Sequence, residues 1–210
     1  MQLKIVEPDQ RWQFSRAMME MHHHRKRIFV DRLGWELPNK GSWLEIDEFD
    51  NDEAVYIMAV SSDGSSHLGS VRLLPTTGPH MLNTLFADLC PGGAPMGEDV
   101  WEISRLVATP EGADGRNILR VHRLLAMGIV EFGRLKGIGR FTLVAESHRM
   151  PALLSVGWRV LPLSLPVELG GCLIEAAEIL IEQRTFDQVR RRAGGEREFE
   201  SSAADLRSAA

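Results

Sequence analysis

The sequence predicts a mixed α/β or α+β sandwich, in which helices cover a sheet that contains antiparallel strands. Two strand-type runs, residues 53–60 and 67–75, flank the turn-rich segment 61–66 (SSDGSS), which is typical of a hairpin and requires antiparallel pairing. A long amphipathic stretch, residues 116–136, lies between two further strand-type runs. With 210 residues, of which 44% are hydrophobic, the chain is long enough to bury a sizeable core.

The N-terminal half reads as a strand, a long helix and the hairpin. Residues 1–7 read as a strand, and residues 9–33 carry apolar side chains at spacings of three and four, which predicts a helix that ends near Gly34. Residues 36–53 are polar and acidic, which predicts a loop before the hairpin. After the hairpin, residues 76–99 contain glycine and proline turns and one short apolar stretch with room for one or two helical turns.

The C-terminal half alternates strands with helices. In chain order the pattern predicts strand 100–109, helix 116–136, strand 140–146, short helix 151–157, strand 158–163 and helix 184–192. The run 172–182 fits a strand or a helix by periodicity, and the preceding pair Gly170 and Gly171 favours a strand at its start. The small, polar residues of 194–210 predict a flexible tail after one domain of residues 1–193.

Composition excludes several classes of protein. The net charge of −5 gives no support to general nucleic-acid binding, and no run of about 18 apolar residues exists that could span a membrane. The N-terminus does not read as a secretion signal, and Cys90 and Cys172 form no CxxC pair, so we expect a cytoplasmic protein. The sequence has no GxGxxG, Walker or GxSxG motif, so nothing supports a Rossmann fold, a P-loop or a serine nucleophile.

The charge is unevenly distributed along the chain. Residues 116–160 carry eight basic and two acidic side chains. This segment presents either a basic face to an acidic partner or an ordinary solvated helix face. The basic residues are Arg116, Arg120, Arg123, Arg134, Lys136, Arg140, Arg149 and Arg159.

Arg25 and Phe29 lie four residues apart, hence on one face of the predicted helix, and Trp35 follows just past its end. An arginine and two aromatic rings clustered in this way suit a flat or cationic ligand, although both rings could equally belong to the core. The preceding histidines, residues 22–24, point in different directions on a helix, so we do not expect them to form a metal site.

Charged residues recur in the acidic loop and in two strands. Glu45, Asp47 and Asp50 would repel one another unless cations separate them, and those cations could be Ca²⁺ or Mg²⁺, arginines or a substrate ammonium; a solvated loop is the alternative. Glu102 shares a strand face with Ser104, whereas Arg105 points to the other face unless a bulge intervenes. Charges in apolar strands are costly if buried unpaired, so we expect a charged cleft in which Arg25, Arg72 and Arg105 balance Glu45, Asp47, Asp50 and Glu102.

Taken in order, these residues resemble a known family. The patterns R-x-x-x-F-x-x-x-x-x-W, E-x-D-x-x-D, RLLPTTGPHML-x-x-x-F and E-x-x-R occur at residues 25–35, 45–50, 72–86 and 102–105. Together they resemble the acyl-homoserine-lactone synthases, the LuxI-like autoinducer synthases, over about residues 1–185. The resemblance implies an α-β-α sandwich similar to GCN5-related N-acetyltransferases, with a mixed, mostly antiparallel sheet that splits in a V.

The resemblance also implies an acyltransferase that makes a quorum-sensing signal. Its substrates would be S-adenosylmethionine and an acyl thioester on acyl carrier protein or coenzyme A, with no permanently bound cofactor and no metal. By motif position, the S-adenosylmethionine pocket and its ion pairs would comprise Arg25, Phe29, Trp35, Asp47, Arg72, Phe86 and Arg105. Glu45, Asp50 and Glu102 complete the charged set, and Glu102 is the candidate general base or the residue that holds a water acting as one.

The acyl group and its donor are less closely defined. The residues expected to line the acyl pocket are Leu143, Ala145, Met150 and Leu154, and the basic segment 116–160 is the expected docking face for the donor. Many relatives have Thr or Ser where this chain reads LVAES (143–147), so we expect an unsubstituted or atypical acyl group. The alternatives are an N-acetyltransferase of the same general fold and an inactive ligand sensor. The segment ATPEGADGRNILRV lacks the usual acetyltransferase pyrophosphate loop, and the intact charged set argues against a sensor.

Overall fold

The computed structural model describes residues 1–35, 41–109 and 115–193, without the side chains of Gly115 and Arg116. Its strands are β1 (Gln2–Val6), β2 (Val55–Val60), β3 (His67–Pro75), β4 (Val100–Ala108), β5 (Arg140–Glu146), β6 (Arg159–Pro162), β7 (Val167–Leu169) and β8 (Cys172–Leu180). Its α-helices are α1 (Ser15–Arg25), α2 (Gly115–Lys136), α3 (Met150–Ser155) and α4 (Gln183–Ala193). The predicted tail, 194–210, lies outside the described residues.

The strands form a mixed sheet in the order β1-β2-β3-β4-β5-β8-β6, and β7 also pairs with β8. The pairs β1–β2, β5–β8, β6–β8 and β7–β8 are antiparallel, whereas β4–β5 is parallel. The predicted α/β class with antiparallel pairing is therefore confirmed. The parallel pairing of β4 with β5 covers Val100–Ile103 of β4. The V-shaped split of the sheet stays a prediction.

The described chain forms two compact units. The first contains Met1–Arg72 and Arg105–Leu125, and the second contains Leu73–Ser104 and the described part of Ala126–Gly195. Strands β3 and β4 and helix α2 each contribute residues to both units. The expectation of a single domain over residues 1–193 stays a prediction.

The first unit is built on β1, β2 and α1. Every residue of β2 is buried, and α1 buries Met18 and Met21 on one side. A Cβ at position 69 in β3, which is a glycine, would collide with Val121 and lie 2.9 Å from the carbonyl oxygen of Val107. The absence of a side chain thus lets α2 approach the sheet closely at this point.

In the second unit β8 is the central strand of its sheet. It pairs with β5 over seven residues, from Arg140–Leu180 to Glu146–Ile174, and with β6 and β7 on the other edge. Gly170 and Gly171 have φ of 60° and 81°, the left-handed values of a two-residue hairpin turn between β7 and β8. The strand predicted at the start of the run 172–182 is therefore confirmed, and it extends to Leu180. The sequence did not predict β7, because it is three residues long and all three residues are exposed.

The helical run predicted at 9–33 is present but is not one α-helix. It begins as a 3₁₀ helix over Pro8–Phe14, continues as α1 and ends as a π-helix over Lys26–Arg32. The apolar stretch in 76–99 forms only one short 3₁₀ turn, Ala87–Leu89. Within the described ranges, no helix is both long and apolar enough to cross a membrane.

Candidate active site

The end of the first helical run stacks two aromatic rings. Gly34 takes a left-handed φ of 69°, and its N–H donates to the carbonyl of Val30 while the N–H of Trp35 donates to that of Phe29. This nested pair resembles a Schellman ending, widened by one residue because the preceding turn is a π-helix. The chain reversal brings the Trp35 ring onto the Phe29 ring, with centroids 4.6 Å apart. Phe29 is buried and Trp35 is half-buried.

Arg105 has a left-handed backbone inside a strand. Its φ is 53°, the one positive value found at a residue other than glycine in the described chain. A bulky side chain in this region is strained, so the surrounding contacts must hold it there. A left-handed residue breaks the strict alternation of side chains along a strand.

Three arginines and three carboxylates of the first unit form one buried network. Its members are Arg25 on α1, Glu45, Asp47 and Asp50 in the acidic loop, Arg72 on β3 and Arg105 on β4. All six were predicted site residues, and the structure brings them together. The acidic loop is therefore paired with arginines rather than solvated.

Arg25 joins the helix to two of the carboxylates. Its Nη1 and Nη2 donate to the two carboxylate oxygens of Asp50 at 2.8 and 2.9 Å, and its Nε donates to Glu45. Such two-point pairing fixes direction as well as charge. The side chains of Arg25, Glu45 and Asp50 are each at most 2% exposed, so the pairing is desolvated.

Arg72 and Arg105 meet at Asp47. Arg72 contacts both oxygens of Asp47, with Nη2 at 3.1 Å, and its Nη1 also lies 3.0 Å from Asp50. Arg105 donates through Nη2 to Asp47 at 2.6 Å and through Nε to Glu45 at 3.0 Å. Each carboxylate thus bridges at least two arginines. Removing one member would leave more than one buried charge unbalanced.

The network also contains a residue that sequence reasoning missed. The Tyr56 hydroxyl donates to Asp50 at 2.6 Å, and Tyr56 is buried. Burial and the neighbouring Asp50 charge raise the pKa of Tyr56, so it acts as a neutral hydrogen-bond donor. Its position in an apolar strand was the available signal, since a buried tyrosine hydroxyl usually has a partner.

Two members of the network have pKa values shifted in favour of their charged forms. Burial opposes the charge on Asp50, but Arg25, Arg72 and the Tyr56 hydroxyl outweigh it and hold the pKa of that carboxyl well below its usual range. Burial likewise opposes the charge on Arg25, but Asp50 and Glu45 hold its pKa above the usual value. The six charges sum to zero, which lets them remain buried together.

One carboxylate of the network is partly exposed. The Asp47 side chain is 14% exposed, against 2% for Glu45 and Asp50. The guanidinium of Arg105 lies over the stacked rings, 5.4 Å from the Phe29 centroid and 5.5 Å from that of Trp35. A partly exposed carboxylate near the half-buried Trp35 ring suits a cation.

Two predicted site residues belong to the second unit. Glu102, on β4, is buried and accepts the backbone N–H groups of Met81 and Leu82 at 2.9 and 2.7 Å. It therefore fixes the loop that follows β3. Phe86 in the same loop is partly buried and packs against the apolar residues Leu82, Leu89, Ile174 and Ala176.

The four predicted acyl-pocket residues also lie in the second unit. Leu143 is buried on β5, Ala145 and Met150 are half-buried, and Leu154 on α3 is half exposed. Val144 alternates with Leu143 and Ala145, so it lies on the opposite face of the strand. It packs against the same apolar cluster as Phe86.

His22, His24 and His67 form hydrogen bonds. His24 and His67 share a hydrogen bond between their Nδ1 atoms at 2.9 Å, and the Nδ1 of His22 bonds the carbonyl of Glu45. No group of three potential metal ligands occurs in the described part of the chain. The histidines nevertheless affect stability, because burial and then the charges of His24, His22 and Arg25 lower the pKa of His67 to about 3.

Stability should consequently fall when the pH drops below about 6.5. His67 stays neutral in the folded chain but binds a proton in the unfolded chain near its usual pKa of 6.5, so its contribution is complete above that pH and is lost toward pH 3. The loss is about 1.4 kcal/mol per pH unit for this group. Urea unfolding between pH 7 and 5 measures it. His67→Leu should flatten the slope, whereas His148→Gln, at an exposed site, should not. An unchanged slope in His67→Leu would contradict this assignment.

The mixed sheet and its helices resemble an N-acetyltransferase in fold. A putative N-acetyltransferase from Lactobacillus plantarum superposes with a TM-score of 0.58 at 15% identity, covering 87% of this chain and all of that one. At this identity the likeness concerns the fold alone.

The chain belongs to the autoinducer synthase family, whose model matches residues 10–189. It is 30% identical to the isovaleryl-homoserine lactone synthase of Bradyrhizobium diazoefficiens over 84% of this chain and 79% of that protein. A CoA-dependent acyl-homoserine lactone synthase, BjaI, solved with SAM and isopentyl-CoA, superposes with a TM-score of 0.81 at 26% identity, covering 92% of this chain and 89% of that one.

A shorter match is closer in sequence. The acyl-homoserine-lactone synthase of Ralstonia solanacearum is 39% identical over 56% of this chain, and the match spans 59% of that protein's length. The predicted family and the predicted likeness to N-acetyltransferases are thus confirmed, and neither alternative function is favoured by these relatives.

Proposed function

We propose that this protein makes an acyl-homoserine lactone from S-adenosylmethionine and an acyl thioester, releasing methylthioadenosine. The observation that carries the proposal is the network of three arginines and three carboxylates, in which Asp47 is partly exposed. The chain that contains it is a member of the autoinducer synthase family. S-adenosylmethionine brings an ammonium, a carboxylate and a sulfonium. A site with carboxylates, arginines and aromatic faces offers a partner to each.

The reaction has two bond-forming steps. The methionine amine, once deprotonated, attacks the thioester carbonyl, and the thiol leaves as the amide forms. The methionine carboxylate oxygen then attacks its own γ-carbon, and the sulfonium leaves as methylthioadenosine. The first step needs a base and donors for the oxyanion, whereas the second needs the carboxylate held close to the γ-carbon.

The first unit supplies the proposed binding groups for S-adenosylmethionine. The Asp47 carboxylate would pair with the ammonium of the substrate, and the Trp35 and Phe29 rings would contact its sulfonium. The arginines of the network would orient the substrate carboxylate. Phe86 stays a proposed binding residue, and Glu102 stays the proposed base or the residue that orders a water acting as one. A TofI structure solved with an inhibitor and MTA shows that a relative binds the proposed by-product.

We propose that the acyl donor is an acyl-CoA. We also propose that the protein acts in the cytoplasm. Two solved relatives, BjaI and MesI, are CoA-dependent. Three basic residues of the predicted docking face are already paired with glutamates: Arg140 with Glu178, Arg149 with Glu146 and Arg159 with Glu182. This pairing lowers the positive charge available to an acidic carrier protein, whereas coenzyme A needs only one or two local arginines.

The experiment is to incubate the protein with S-adenosylmethionine and a panel of straight, branched and aryl thioesters on both carriers. Lactone is detected by mass spectrometry. We expect lactone from at least one acyl-CoA, at a rate that the combined reversal of Arg134, Lys136 and Arg140 to Glu leaves within about twofold of wild type. No lactone from any thioester would refute the function, and lactone from carrier-protein thioesters alone would refute the donor.

Trp35→Ala should raise the Michaelis constant for S-adenosylmethionine about tenfold, with a much smaller effect on that for the thioester. A cation over a desolvated aromatic ring is worth about 1–2 kcal/mol, which corresponds to this factor. Trp12→Ala removes an equally large ring at a 75% exposed site and is the matched control, expected to leave both constants unchanged. Loss of stability with unchanged kinetics in Trp35→Ala would assign the ring to the core.

A bulky residue on β5 should change the preference among acyl chains. Ala145→Trp tests the predicted wall of Leu143, Ala145, Met150 and Leu154, and Val144→Trp tests the opposite strand face. A hydrophobic pocket discriminates by about 1–3 kcal/mol per methylene, so relative kcat/KM values for short, long and branched donors should shift at least tenfold in Ala145→Trp. A shift in these relative kcat/KM values in Val144→Trp alone would place the acyl chain against the apolar cluster on which Phe86 packs.

A further inference from the structure

We propose that His22 is a positioning residue that holds the Glu45 carboxylate between Arg25 and Arg105 by clamping the main chain of Glu45. The His22 ring places Nδ1 2.8 Å from the carbonyl oxygen of Glu45, and the Glu45 N–H donates to the His22 carbonyl at 3.1 Å. A carbonyl oxygen can only accept, so Nδ1 carries the hydrogen and donates it. The two bonds join α1 to the acidic loop at a single residue pair.

Glu45 depends on such bonds because its segment has no helix or strand pairing to hold it. Residues 41–54 contain only turns, bends and irregular segments, and yet Glu45 is buried. Its side chain bridges Arg25 Nε and Arg105 Nε, the latter at 3.0 Å. A shift of the Glu45 main chain would therefore move the partner of Arg105, the arginine that lies over Phe29 and Trp35.

The surroundings favour a neutral ring at this position. Arg25 lies one helical turn away from His22, and Tyr56 meets the ring edge with centroids 6.4 Å apart. Burial first, and then the Arg25 charge, lower the pKa of His22, against smaller opposing effects of Asp50 and Glu45. A neutral His22 donates to the loop without adding a fourth cation beside the balanced network.

The proposal predicts that the Nδ1 donor matters more than the ring. Asparagine carries an N–H at the same number of bonds from Cα as Nδ1, whereas glutamine places it one bond further and leucine has none. His22→Leu and His22→Gln should raise the Michaelis constant for S-adenosylmethionine at least about tenfold, which corresponds to about 1.4 kcal/mol. That for the acyl thioester should stay within about twofold, and His22→Asn should stay within about threefold of wild type for both.

His23 offers the matched control. It is the next residue on the same helix and contacts the exposed Trp43 ring rather than the loop carbonyl. His23→Leu and His23→Asn should leave both constants within about twofold, and circular dichroism should show all variants folded. Equal impairment of His22→Asn and His22→Gln, or wild-type kinetics in His22→Leu, would overturn the proposal.

The proposal rests on the proposed function, because it takes the network as the S-adenosylmethionine site. Calorimetric binding of S-adenosylmethionine to the same variants separates the two. Binding that follows the His22 pattern in a protein that makes no lactone would refute the function and support the positioning role. Lactone formation by the wild type, without any His22 dependence of binding or kinetics, would refute the positioning role and leave the function standing.

Discussion

Arg72→Ala is expected to lower lactone formation at least about 100-fold while the protein still folds. Arg72 is fully buried, contacts both oxygens of Asp47 and lies 3.0 Å from Asp50. Its removal leaves the partly exposed Asp47 and the buried Asp50 each short of a partner, and breaking a buried pair typically costs about 3–5 kcal/mol. A domain of this size has a stability of about 5–15 kcal/mol, so the fold should survive while the geometry of the site does not. Steady-state turnover and urea unfolding measure the two effects.

Arg16→Ala is the matched control for this prediction. Arg16 also pairs with a carboxylate, Glu20, at 3.3 Å, but its side chain is 70% exposed. An exposed pair contributes about 0–1 kcal/mol, so both stability and turnover should change little. Wild-type turnover in Arg72→Ala would remove the network from the mechanism, and equal stability losses in both variants would contradict the importance of its burial.

Glu102→Ala should nearly abolish product formation for one of two separable reasons. The Glu102 carboxylate accepts the N–H groups of Met81 and Leu82, so its loss leaves two buried donors unpaired, at about 1–3 kcal/mol each. If Glu102 also acts as the base, Glu102→Gln should lose the acylation step while it loses less stability than Glu102→Ala, since its amide oxygen still accepts one of the two bonds. Single-turnover release of the thiol, together with urea unfolding, distinguishes an anchoring role from a catalytic one. Wild-type turnover in Glu102→Ala would exclude Glu102 from both roles.

The sequence predicted most of the fold because its local signals agree with the final contacts. The hairpin follows from SSDGSS between two apolar runs, and β5 matches its predicted bounds, residues 140–146. The three-residue strand β7 has no such signal, because its pairing with β8 rather than its own pattern makes it a strand. The π-helix at Lys26–Arg32 could not be predicted either, since apolar spacings of three and four fit an α-helix as well as a π-helix.

The members of the charged network could be predicted, but their pairing could not. Charge in apolar strands and the acidic loop indicated that Arg25, Arg72 and Arg105 must meet carboxylates. The sequence contains nothing that assigns Asp47 to two arginines at once, because these residues meet only after the loop folds back over the strands. Tyr56 and His22 were missed for a related reason. Each side chain acts through a hydrogen bond to the acidic loop, from Tyr56 to Asp50 and from His22 to the carbonyl of Glu45, and residue spacing in the sequence does not predict such a bond.

The central claim is that the network binds S-adenosylmethionine for acylation and ring closure. The stoichiometry of the products in one reaction tests it most directly. With S-adenosylmethionine and a productive acyl-CoA, the wild type should release free thiol, methylthioadenosine and acyl-homoserine lactone in equal amounts, and Arg72→Ala should release almost none of the three. Thiol release without methylthioadenosine would instead indicate an N-acetyltransferase, and the absence of all three products with the wild type would indicate a ligand sensor; either result would contradict the claim.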